Sequence, residues 1–215
     1  MKVILVRHGQ TQWNKEDIFR GTIDVDLDET GIRQAELASK ALARIKIDAV
    51  YSSPMKRAIT TATIIARPHG LPVQTERGFG DFSFGEWQGK SRDEIRQQYP
   101  DLYSQWETEP HKVRFPGGDS LDDLRDRALP ALERVIDAHS PDGTVVVVSH
   151  RVVTKVLLCA ILGLDNSRFW HIRQDVCCFN IFERDSRGRY IIHVINDTCH
   201  LREIAAPGER LKADF

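Results

Sequence analysis

Three short stretches of this chain put groups that bind or attack phosphate at the ends of apolar runs. The first is Arg7-His8-Gly9, directly after Val3-Ile4-Leu5-Val6. A guanidinium beside an imidazole suits a phosphate group, and a glycine lets the backbone come close to it. The second is Ser52-Ser53-Pro54-Met55-Lys56-Arg57, after Asp48-Ala49-Val50-Tyr51. With serine as cap and Pro54 as first helical residue, Arg57 falls in a first turn, where free N–H groups and the helix dipole favour anions. The third is Ser149-His150-Arg151, at the end of the valine run Val145-Val146-Val147-Val148.

The chemistry follows from the residue types. A neutral imidazole can attack phosphorus and form a phosphohistidine, which divides hydrolysis into two easier steps. Fixed positive charges stabilise the equatorial oxygens of the transferring phosphoryl group. A carboxylic acid is still needed to protonate the leaving oxygen and then to activate water. Glu76, Asp81 and Glu86 are the candidates, in a segment with Gly78, Gly80, Gly85 and Gly89, and the pattern does not choose among them. Neither a Walker-type loop nor a metal-ligand spacing occurs, so no metal and no cofactor is expected.

The elements that must position these groups alternate. Residues 2–6, 48–51 and 144–148 read as short buried strands. A helix with Ile32, Ala35, Ala38, Leu42 and Ile45 on one face follows the first. The next runs to Ala66 before Pro68 and Gly70, and Leu71-Pro72-Val73 reads as an edge strand. Ser91 and Glu94 have capping-box spacing, and a long helix covers about 120–139 with Leu121, Leu124, Ala128, Leu132 and Val135 inward. A helix at about 152–162 ends at Gly163, and 176–183 with 190–196 form a hairpin around Asp185–Arg189.

This alternation predicts a three-layer α/β/α fold, with a mostly parallel central sheet and one antiparallel edge strand from the hairpin. In such a sheet all three junctions share one edge, so two histidines and two arginines face one crevice. Without repeats, low-complexity tracts or linkers, residues 1–215 read as a single domain. The stretch 99–118, rich in proline and glycine with little periodicity, reads as a mobile, cap-like insertion, and the tail beyond Ala205 as frayed.

Composition excludes some partners. Lys+Arg 30 against Asp+Glu 31 gives a net charge of −1, so no global field favours nucleic acid or an anionic membrane. No segment approaches the roughly 20 apolar residues that span a bilayer, and the N-terminal apolar run is too short for a signal peptide. Cys159, Cys177, Cys178 and Cys199 lack zinc-like spacing and read as buried free thiols, the adjacent pair on opposite faces of a strand. A reducing cytoplasm is the default location for such a chain.

Together the motifs resemble the histidine phosphatase superfamily, or phosphoglycerate mutase-like family, over nearly the whole chain. The similarity rests on Val6-Arg7-His8-Gly9 with Thr11, Trp13 and Asn14, and on Leu27 and Gly31 with Gln34-Ala35. It continues in Ser52-Ser53-Pro54-Met55-Lys56-Arg57-Ala58 with Thr61-Ala62, Phe84-Gly85-Glu86-Trp87-Gln88-Gly89, and Val148-Ser149-His150. The resemblance implies His8 as nucleophile, Arg7, Arg57 and His150 as the phosphate pocket, and Asn14 as a further contact. It implies an acid four residues before Gly85, which is Asp81 where relatives usually carry glutamate, with Glu86 in reserve. Arg151 stands where glycine is usual, Gln88 where glutamate is common, and Arg20, just before Gly21, where relatives often carry an uncharged substrate contact. Arg20 and Arg151 are therefore candidates for reading a second anionic group on the substrate.

The expectation is a metal-independent phosphomonoester hydrolase acting on a small phosphorylated metabolite through a phosphohistidine on His8; phosphoserine, a phosphoglycerate or its glycosylated derivative, a nucleoside-like phosphate and a sugar phosphate all fit a site with spare arginines. A cofactor-dependent phosphoglycerate mutase is the alternative, and a weakly catalytic phospho-ligand binding module the second. A homodimer is allowed, though no sequence feature singles out an interface.

Overall fold

The protein is described by a computed structural model covering residues 1–204. Six strands form one sheet: β1 (Lys2–Arg7), β2 (Ala49–Ser52), β3 (Val73–Thr75), β4 (Thr144–Ser149), β5 (Phe179–Arg184) and β6 (Tyr190–Asp197). Their order is β3-β2-β4-β1-β5-β6. The helices are α1 (Gln12–Lys15), α2 (Glu29–Leu42), α3 (Lys56–Ala66), α4 (Arg92–Gln98), α5 (Pro100–Thr108), α6 (Leu121–Asp137) and α7 (Arg151–Ile161).

The two central strands are apolar on both sides, as a sheet covered on both faces requires. Val3, Leu5, Val145 and Val147 join the core beneath α6 and α7, while Ile4, Val6, Val146 and Val148 join the core beneath α2 and α3. The layers and the mostly parallel sheet are those expected. The antiparallel strand is not the edge: β5 opposes β1, and β6, antiparallel to β5, lies outside it. The hairpin thus contributes two strands, its turn held by Asp185, whose carboxylate accepts from the backbone N–H of Arg187 and Arg189.

Several local expectations change for identifiable reasons. The α2 helix ends at Leu42 and buries Gly31, Gln34, Ala35, Leu37, Ala38 and Leu42, so Ile32 and Ile45 are exposed. Pro54 is not the first helical residue: α3 starts at Lys56 behind Met55. Segment 99–118 is largely ordered structure, because α5 buries Tyr103 and Trp106, and Phe115 follows them into an aromatic cluster with Phe82, Phe84 and Trp87. Cys177 and Cys178 precede β5, Cys177 with φ 53°, so they are not on opposite faces of a strand; both are buried, whereas Cys199 is exposed. The tail beyond Ala205 lies outside the described residues. No helix among the described residues is long and apolar enough to cross a membrane.

One close approach fixes the loop after β1. A Cβ on Gly31, in the first turn of α2, would stand 2.1 Å from the Gln10 carbonyl oxygen, and one on Gly9 would stand 2.5 Å from that of Gly31. Gly31→Ala is expected to cost roughly 1–3 kcal/mol, because backbone on both sides must move. Urea denaturation checks this, and an unchanged midpoint would show that the contact is not constraining.

Candidate active site

The parallel pairing of β1 with β4 sets Arg7 opposite Ser149, and the next residue, His8, donates its backbone N–H to Ser149 O (2.9 Å). His8 and His150 therefore leave neighbouring strand ends together, their ring centroids 5.2 Å apart. Arg57 arrives from the second residue of α3 and is wholly buried. Arg7, His8, Arg57 and His150 thus converge as the three junctions predict.

Each side chain is held by a specific partner. His8 donates from Nδ1 to the Gly9 carbonyl (2.7 Å), which leaves the lone pair on Nε2. The Ser53 hydroxyl accepts the Met55 N–H (3.3 Å) and stands 2.7 Å from His150 Nε2, the sole acceptor for its own proton among the described residues. That bond places the His150 proton on Nδ1. Arg57 donates to the carbonyls of Gly21 (2.9 Å) and Ile23 (3.0 Å) and to Asp81 Oδ2 (2.8 Å). Arg7 donates to the Gln174 carbonyl (2.7 Å), and Gln174 is tied through Asn180 to the Leu5 carbonyl.

The carboxylate candidates separate cleanly. Asp81 Oδ2 lies 3.3 Å from His150 Nδ1 as well as beside Arg57, without hydrogen-bond alignment to the imidazole. Arg127 of α6 pins the backbone there by donating to the carbonyls of Gly78 (3.0 Å), Gly80 (2.8 Å) and Asp81 (2.7 Å). Glu86 points outward and accepts from the Tyr99 hydroxyl (2.7 Å). Glu76 caps the Arg77–Phe79 turn through the Gly78 N–H and faces Arg134. Of the three, only Asp81 joins the histidines.

A small cleft of about 60 Å³ opens over this group, lined by His8, Asp81, Asn14, Arg20, Gly21 and Arg151, with Trp13, Ile18, Phe19 and Phe84 as an apolar wall. Asn14 accepts the Thr11 N–H (2.8 Å) and hydroxyl (3.0 Å) at Oδ1, which orients its amide. Arg20 lies within 3.5 Å of the Thr11 hydroxyl, and the Arg151 guanidinium sits 6.0 Å from the Trp170 ring centre. Gly21 has φ 54°, and a Cβ there would meet Gln88, whose Oε1 accepts from Thr22 N (2.8 Å) and Oγ1 (3.0 Å). Gln88 thus secures the loop whose carbonyls grip Arg57.

The electrostatics favour neutral imidazoles among fixed cations. Burial pushes His8 well below its ordinary value of 6.5, and the charge of Arg57 adds to the effect, followed by His150, Arg7 and Arg20. Burial and then Arg57 do the same to His150. Backbone carbonyls of Gly21, Ile23 and Gln174 accept hydrogen bonds from the arginines without carrying a full charge, so they do not cancel the positive field. His150 Nδ1 and Arg57 Nε are buried donors without a hydrogen-bond partner among the described residues, a costly arrangement unless an anion arrives.

Sequence reasoning missed Ser53, Arg127 and Gln174. Ser53 was visible in the pair before Pro54, but its hydroxyl serves His150 and not a helix cap. Arg127 and Gln174 act through backbone carbonyls distant in sequence, so no local motif marks them.

A sequence model of the histidine phosphatase superfamily (branch 1) matches residues 3–198. Phosphoserine phosphatase 1 of Hydrogenobacter thermophilus is 40% identical over 203 residues, 94% of this chain and 95% of that protein. Among solved structures, YhfR of Bacillus stearothermophilus superposes with a TM-score of 0.89 at 31% identity, covering 94% of this chain and 99% of that one. A histidine-to-alanine mutant of phosphoserine phosphatase from Entamoeba histolytica, in complex with phosphoserine, gives 0.83 at 25% identity, covering 93% and 98%.

The buried neutral histidines imply a pH dependence of stability. The unfolded chain takes up protons on both below about pH 6.5, whereas the folded chain resists until far lower. Stability contributed here is therefore full above that pH and falls as pH drops, by about 1.4 kcal/mol per pH unit for each histidine. Thermal melts of the wild type and a His8→Asn/His150→Asn double variant between about pH 7 and pH 5 test this. A shallower slope is expected in the variant, and equal slopes would contradict the assignment.

Proposed function

The chain belongs to the histidine phosphatase superfamily, branch 1, and we propose that it hydrolyses a small carboxylated phosphomonoester through a phosphohistidine on His8. That it is a phosphatase of the histidine type follows from the family and from its 40% identity to a named phosphoserine phosphatase. Phosphoserine is the substrate that the named relatives favour, and the arginines of the cleft favour carboxylated esters more generally, phosphoglycerate derivatives among them. The observation that carries the reading is the His8 tautomer: Nδ1 is committed to Gly9 O, and a buried, neutral ring offers its Nε2 lone pair.

The steps follow from the residues. The phosphate group docks against Arg7, Arg57, the His150 Nδ1–H and Asn14, whose donors match its oxygens. Asp81 now stands between Arg57 and His150, on ground that phosphate oxygens would take. An entering phosphate monoanion displaces it from Arg57 and hands it a proton. The His8 Nε2 lone pair then forms the N–P bond while the ester P–O bond breaks, and Asp81 protonates the leaving alkoxide. In the second half a water attacks phosphorus and gives its proton to Asp81, and the N–P bond breaks. Asp81 returns that proton to the product, inorganic phosphate leaves as the monoanion, and His8 is neutral and Asp81 ionised as at the start. The arginines supply the positive charge at the equatorial oxygens, so the route needs no metal.

Arg20 and Arg151 line the cleft and bring cations to where a substrate carboxylate would lie.

Phosphate release from a panel of esters, with a chelator present and no bisphosphate primer, tests the reading. Carboxylated esters are expected to react faster than uncharged ones. Asp81→Asn is expected to lower kcat/KM for alkyl esters by roughly 10²–10⁴-fold while sparing kcat/KM for p-nitrophenyl phosphate, whose leaving group needs no proton; kcat, which includes the water step, falls for both. Glu86→Gln should stay within about twofold of wild type, as an outward side chain would. A leaving-group-dependent loss in Glu86→Gln, with Asp81→Asn active, would move the acid to Glu86. A requirement for the primer, with little free phosphate, would point to a mutase.

A further inference from the structure

The cleft contains one negatively charged group that phosphate chemistry does not use. Asp17 lines it beside Arg20, Arg92 and Arg151. Its backbone is left-handed, with φ 52°, a conformation that few L residues adopt and that aspartate tolerates better than most. The following residues are tied to the segment before α4: Ile18 bridges to Ser91, Phe19 N–H donates to Lys90 O (3.0 Å), and Gly89 N–H donates to Phe19 O (2.8 Å). This tie sets the Asp17 side chain against the first turn of α4, where Arg92 Nη2 stands 3.5 Å from Oδ1. Oδ2 makes no hydrogen bond to a described residue. Asp17 is more than half exposed, so solvent and ligand both reach it.

A site for a phosphate and a carboxylate gains nothing from an aspartate at its mouth, since that charge repels both groups. The same charge favours a substrate that also carries a cation, and disfavours the matching molecule without one. Of the two carboxylates that line the cleft, Asp81 is bound to Arg57 and to the Phe82 N–H (2.8 Å), so Asp17 is the one placed to receive such a cation. The compounds that combine phosphate, carboxylate and cation on a short skeleton are phosphorylated amino acids. We propose that Asp17 is a specificity-determining residue that receives the α-ammonium group of such a substrate, while Arg92 holds the carboxylate of Asp17 over the cleft. This inference rests on the phosphoester reading above and narrows it from carboxylated esters to amino-acid esters.

The test compares O-phospho-L-serine with 3-(phosphonooxy)propanoate, the same skeleton with hydrogen in place of ammonium. The measured quantity is the ratio of kcat/KM for the two esters in wild type, Asp17→Asn and Asp17→Gly. Both substitutions remove the charge and accept a positive φ, so agreement between them separates charge from folding. Wild type is expected to prefer phosphoserine, and both variants to lose about fivefold of that preference. Within that change the propanoate rate rises as the repulsion is removed. A parallel fall on both esters would give Asp17 a merely structural role and overturn the proposal. Wild-type turnover of both esters without preference would overturn it too, while leaving the phosphatase reading intact. Failure of wild type on both esters would overturn both readings.

Discussion

The register between β1 and β4 is the constraint on which the site depends. Two parallel strands, paired Val6 to Val148 and Arg7 to Ser149, end one residue before the two histidines. A slip by one residue would turn every side chain of β1 to the opposite face. That slip is opposed twice, because alternate residues of both strands are buried in different cores. The spacing of the His8 and His150 rings is thus inherited from ordinary apolar packing.

Buried charge is managed in an uneven way. Arg57 and Arg7 lie in the interior, yet carbonyls of Gly21, Ile23 and Gln174 hold them. Carbonyls satisfy guanidinium donors without cancelling the charge, so burial first, and then the surviving positive field, keep the His8 imidazole neutral. Asp81 is the exception, a carboxylate close enough to balance Arg57. The unpartnered donors at His150 and Arg57 are a cost to the folded chain that an anionic ligand would relieve. Sites of this kind trade some stability for readiness to bind.

The sequence made the strand ends legible because short valine-rich runs and the residues after them occupy consecutive positions. Arg7, His8 and His150 needed only the rule that parallel strands share an edge, and Arg57 needed only a helix start. Asp81 was a different problem. It lies in an irregular segment among three carboxylates, and its placement is decided by Arg127, nearly fifty residues away, through backbone carbonyls. Ser53 was read as a helix cap because serine before proline ordinarily is one, and the contact with His150 overrides that local preference. The stretch 99–118 looked unstructured for a related reason. Its aromatic residues are spaced for burial against Phe82, Phe84 and Trp87, neighbours that no local periodicity can reveal.

The claim that everything else serves is that His8 carries the phosphoryl group. It is tested by mixing the enzyme briefly with substrate, quenching in alkali, where phosphohistidine survives, and locating the added phosphate by peptide mass mapping. Phosphate on the N-terminal peptide at His8, and none on His8→Ala, is the predicted result. Turnover without any phosphoenzyme, or with the phosphate on His150, would contradict the account.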